Sequence, residues 1–70
     1  MTNERSYVNA VRHYTNLAVA IVTDDPEFVQ VSFTGFCKRM PVDRHLTQEE
    51  YHDATSEAYF NMHDYVQEGL

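Results

Sequence analysis

Cysteine, glycine, proline and cationic side chains are all scarce in this chain, and tryptophan is absent. The single cysteine, Cys37, leaves no intramolecular disulfide framework and no multi-cysteine zinc site. A lone thiol suits a reducing compartment, so a cytoplasmic location is expected. Two glycines and two prolines in 70 residues, with 43% hydrophobic residues, exclude a disordered or low-complexity chain. No apolar run approaches the ~18 residues of a membrane span, so no membrane partner is expected. The opening Met-Thr-Asn-Glu-Arg-Ser-Tyr lacks the basic-then-apolar form of a signal peptide, and none is expected.

Positive charge is the most telling shortage. Five Lys and Arg stand against 11 Asp and Glu, a formal charge of −6 with histidines neutral. Lys38, Arg39 and Arg44 form a small basic cluster near Phe36, too few charges for a direct nucleic-acid footprint on so acidic a chain. They are expected instead to pair with the acidic last helix, within the molecule or across a dimer. The length supports one domain, and a chain of this size buries only ~60% of its unfolded surface. Without disulfides, it needs regular packing or a partner's surface, which keeps a homodimer open.

What is present is helical periodicity. Over about residues 3–22, Tyr7, Ala10, Val11, Tyr14, Leu17, Ala18, Ile21 and Val22 share one face. Thr23-Asp24-Asp25-Pro26-Glu27 then breaks the pattern: Pro26 suits a first helical turn, Asp24 or Asp25 a cap, and Asp24 with Glu27 has capping-box spacing. The next segment, about 26–39, reads two ways. Val29, Phe33, Phe36, Cys37 and Met40 form a helical stripe, while residues 28–36 alternate as a strand would. The cap and the longer match favour a helix. Residues 40–46 form a connector, because Pro41 forces Met40 out of helical geometry. Thr47 and Glu50 then open a capping box, and a helix of about 48–68 buries Tyr51, Ala54, Ala58, Tyr59, Met62, Tyr65 and Val66. The expected fold is an all-α, single three-helix domain. The alternative is an α+β helix–strand–helix arrangement with 28–36 as the strand.

The stretch Leu46-Thr47-Gln48-Glu49-Glu50-Tyr51-His52 resembles the opening of the first helix of frataxins. The chain leaves no room for that family's sheet to follow, so the resemblance implies an amphipathic acidic helix, and no activity or site residue is carried over from it.

The charge is unevenly placed. Glu49, Glu50, Asp53, Glu57, Asp64 and Glu68 fall in the last 22 residues with no Lys or Arg, whereas five acids and five bases cancel in the first 48. Glu50, Asp53, Glu57, Asp64 and Glu68 lie within roughly 60° of one another, opposite the apolar stripe. Asp53 with Glu57, and Asp64 with Glu68, are like-charged pairs that each cost ~0.2–0.5 kcal/mol of helix stability. Phe60 lies about 180° from Tyr51 on the wheel, amid Asp53, Ser56, Asp64 and Gln67. Either this is a solvated face that maintains solubility, or it docks on a basic surface, with a phenyl anchor inside a charged rim. Seven helical residues rise ~10 Å, a spacing broadly comparable to that of successive nucleic-acid phosphates.

Other chemistry is thinly represented. Tyr7, Tyr14, Tyr51, Tyr59 and Tyr65 fall on the apolar faces, where a core rimmed by phenols at the water boundary, or a tyrosine-rich dimer seam, explains them. His45, Glu49 and His52 approach one another near a helix start, but no HExxH motif and no Cys–His ligand spacing is present, so no metal or cofactor is expected. Cys37 sits on an apolar stripe, no serine occupies a nucleophile elbow, and no glycine-rich loop precedes a helix. The sequence therefore points away from an enzyme. It points to a protein-binding module that presents Glu50, Asp53, Glu57, Phe60, Asp64 and Glu68 to a larger protein with a basic surface. A homo-oligomer, or an accessory subunit of a larger complex, is the alternative. In type, the chain resembles the small acidic inhibitors of phages and mobile elements; that resemblance implies a viral nucleic-acid mimic that blocks a host enzyme.

Overall fold

The computed structural model describes the backbone of residues 2–69 and the side chains of residues 6–68. It holds three α-helices and, among the described residues, no strand: α1 Thr2–Asp24, α2 Phe33–Arg39 and α3 Gln48–Gly69, with a 3-10 turn at Pro26–Gln30 between the first two. The all-α, three-helix reading is correct.

α1 runs two residues further than periodicity indicated, through Asp24. It stops there because Asp25 precedes a proline and is pushed out of helical geometry. Neither of the caps expected from Asp24 and Asp25 forms. Asp24 belongs to α1, and the Asp25 side chain makes no cap hydrogen bond. The Asp25 backbone joins the elements instead, its N–H donating to the Ile21 carbonyl (2.8 Å) and its carbonyl accepting from the Phe28 N–H (2.9 Å).

The middle segment is neither one helix over 26–39 nor a strand over 28–36. After the 3-10 turn, Val31 and Ser32 are extended, and α2 begins afresh at Phe33. The β-branched Val31 favours extended backbone. The Ser32 hydroxyl accepts the Gly35 N–H at 3.2 Å, capping a new helix where a continuous one would need that amide. Gly35 is required by the fold-back: a Cβ there would lie 2.8 Å from Val31 Cγ2. The split lets both Phe28 and Phe36 enter the core, their rings 5.9 Å apart.

α3 opens on the expected capping box. The Glu50 N–H donates to Thr47 Oγ1 at 3.1 Å, and the Thr47 N–H donates to Glu50 Oε1 at 2.9 Å. Thr47→Ala is expected to cost ~1 kcal/mol and lower Tm by ~4–8 °C in a domain of this size, checked by thermal denaturation.

Small side chains set the helix packing. Ala10 and Ala18 on α1, and Ala54 and Ala58 on α3, are buried and let the two long helices approach closely, while Tyr14, Val22, Phe28, Phe36, Met40 and Met62 fill the remaining volume. Thr55 is fully buried. Its hydroxyl donates to the Tyr51 and His52 carbonyls and accepts from the Cys37 thiol at 3.6 Å.

The tyrosines do more than rim this core. Tyr14 Oη donates to the Pro41 carbonyl (2.7 Å), Tyr59 Oη to the Val31 carbonyl (2.7 Å), and Tyr51 Oη to the Cys37 and Met40 carbonyls (3.1 and 3.2 Å). Three phenols thus tie down the backbone around the short α2, at Val31 before it and at Cys37, Met40 and Pro41 at its end and beyond. Burial is the leading cause that pushes the Tyr14 hydroxyl up to about 12, and burial raises Tyr51 as well. The Glu57 hydrogen bond is the leading cause for Tyr7, also pushed up to about 12. Because the folded state favours the neutral phenols, their contribution is complete below pH ~10 and lost as pH rises toward 12. Urea denaturation at stepped pH is expected to show stability falling by ~1.4 kcal/mol per pH unit for Tyr14 alone, a component that Tyr14→Phe removes.

Candidate docking face on the last helix

α3 turns Ala54, Thr55, Ala58 and Met62 into the core, which fixes what its opposite side presents. Tyr7 Oη reaches Glu57 Oε1 at 2.8 Å and Asn61 Nδ2 reaches Thr15 Oγ1 at 3.2 Å, so one flank of α3 faces α1. The other flank faces α2, with Phe33 set edge-on against His52 and Tyr59, and Phe36 against Tyr59. Between the flanks, Asp53, Phe60, Asp64 and Glu68 are exposed, Phe60 to 68%.

The acidic residues singled out in the sequence thus separate by what they touch. Glu50 is half-buried and its carboxylate is occupied by the capping box. Glu57 is exposed, but it accepts the Tyr7 hydroxyl. Asp53, Asp64 and Glu68, around Phe60, form the part of the ridge directed to solvent.

The basic cluster does not sit on this ridge. The Arg39 guanidinium lies over the Phe28 ring, 5.2 Å from its centroid, beside a 300 Å³ depression that also includes Asp24 and Asp25. Lys38 lines a 420 Å³ cleft with Phe33, Thr34, Cys37 and His52. Arg44 borders a 360 Å³ cleft with His13, Tyr14, Pro41, Val42 and His45. Within the molecule, the expected pairing of these cations with the acidic helix gives way to three separate positions: Lys38 and Arg39 are successive residues of α2 and point about 100° apart, and Arg44 lies beyond it in the connector.

The histidines are dispersed as well. His13 lies against Tyr14, His52 against Phe33, and His63 against Tyr59, whose carbonyl accepts from His63 Nδ1 at 2.8 Å. Among the described residues no three His, Cys, Asp or Glu side chains gather as metal ligands, and no helix is long and apolar enough to cross a membrane.

Two exposed groups escaped the sequence reading; Tyr65, expected on the buried face of α3, is 40% exposed. Val42 is 81% exposed in the connector. Its flanks, Pro41 and Asp43, marked a loop, and an apolar side chain on a loop between clefts is the available signal.

Comparison with protein-family models, with curated proteins and with solved structures finds no match to this chain.

Proposed function

We propose that the chain is a non-enzymatic protein-binding module that docks the outward face of α3 on a basic, nucleic-acid-binding surface of a larger protein, in the manner of a small acidic inhibitor. Phe60 carries this reading: a ring 68% exposed in water, on the same face as Asp53, Asp64 and Glu68. An apolar side chain of that size, desolvated on contact inside a charged rim, has the composition of an interface hot spot. The carboxylates add orientation and a fast, salt-sensitive approach to a positive partner. The like-charged pairs along the ridge weaken the free helix slightly, a cost that an opposing basic surface relieves. A cytoplasmic setting, where a lone thiol stays reduced, belongs to the same proposal.

The test is capture from a cell extract on the immobilised chain, followed by competition. The captured protein is expected to be released by duplex DNA or RNA and by raising salt from 50 to 500 mM, and to be lost on a D53K/D64K variant. Capture that survives both the polyanion and the charge reversal would contradict the proposal.

A further inference from the structure

The outward side of α3 carries its charge in a single row. Asp53, Glu57, Asp64 and Glu68 lie within roughly 60° of one another around the helix and span ~22 Å along it. Over that length a nucleic-acid duplex presents ~13 charges from its two strands, and one strand presents ~6. A lone, sparse row of carboxylates stands closer to one strand than to two.

A ring interrupts the row. Phe60 is 68% exposed, and its exposed neighbours on the helix, Asp53, Asp64 and Gln67, are all polar. A ring with no apolar patch around it is poorly matched to a greasy pocket, whose rim would meet anions. It is well matched to a surface that takes rings and anions in turn. Grooves for single-stranded nucleic acid have that composition: aromatic side chains on which bases stack, beside cations that hold the phosphates. Proteins that read a duplex meet base edges in its grooves and never the ring faces, which are covered by stacking.

We infer that the basic surface met by α3 is the groove of a protein that binds single-stranded nucleic acid, with Phe60 stacked where a base stacks and Asp53, Asp64 and Glu68 on the cations that hold the flanking phosphates. The inference rests on reading the ridge as a docking face, and it narrows the partner. The chain excludes a strand from ~22 Å of groove, the length of about six stacked nucleotides. That lies within the ~4–16 nucleotides that one such groove binds.

Two measurements on the captured partner test this. A thirty-nucleotide oligothymidylate is expected to release the partner at a phosphate concentration at least tenfold below that required of a thirty-base-pair duplex. Phe60→Trp and Phe60→Tyr keep an aromatic face and are expected to bind within about threefold of wild type. Phe60→Leu is apolar but has no ring, and is expected to bind about tenfold more weakly, with an unchanged melting curve. Release by the duplex at an equal or lower phosphate concentration, or a Phe60→Leu variant that binds as tightly as wild type, would overturn the inference and leave the ridge as a docking face. A partner released by neither polymer and bound equally well by D53K/D64K would instead remove the docking reading itself.

Discussion

Phe36→Ala is expected to leave much of the population unfolded at 37 °C. Phe36 is fully buried in the seven-residue α2, its ring 5.9 Å from Phe28 and 5.1 Å from Tyr59. A helix that short does not hold itself together, so it stays helical because Phe36 anchors it and the tyrosines hold its ends. Removing a buried phenyl costs ~3–5 kcal/mol. At ~0.05–0.15 kcal/mol per residue, that is comparable to the whole stability of a domain this size. Urea denaturation checks the result. A loss below ~1.5 kcal/mol would show that the middle segment packs independently of this ring.

The second large effect concerns binding alone. Phe60→Ala is expected to raise the Kd for the captured partner ~30-fold or more, the ~2 kcal/mol that defines a hot spot. Folding stability is expected to stay within ~0.5 kcal/mol of wild type, because the ring touches water and not the core. The contrast with Phe36 is the point. In the docking proposal the two phenylalanines divide the work, Phe36 holding the fold and Phe60 meeting the partner. Unchanged affinity in Phe60→Ala would remove the anchor from the docking proposal.

The long helices were legible in the sequence because their apolar residues repeat with a helical period, and because Thr47 and Glu50 announce the start of α3 three residues apart. The middle segment resisted reading for a physical reason. Val29, Val31 and Phe33 alternate, while Phe33, Phe36, Cys37 and Met40 follow a helix, and the chain uses both tendencies by breaking at Val31–Ser32. Ser32 followed by Gly35 was the local cue to that break, but the close approach of Val31 to Gly35 that fixes it is a tertiary fact. The tyrosine faces were likewise visible by period, whereas the carbonyls their hydroxyls reach lie 11 to 28 residues away in the chain. On the candidate face, the wheel placed the carboxylates together. It did not separate Glu57, which accepts from Tyr7, from those that meet solvent, since that depends on where α1 lies; the Glu50 bond to Thr47 was legible from the capping-box spacing.

A backbone amide titration by NMR, with labelled chain and the captured basic partner, bears most directly on which surface makes contact. The docking account expects the largest perturbations at Asp53, Phe60, Asp64 and Glu68, fading as salt rises. Perturbations centred instead on Phe33, Cys37 and His52, with α3's outward side unmoved, would place the contact in the cleft beside α2 and contradict it.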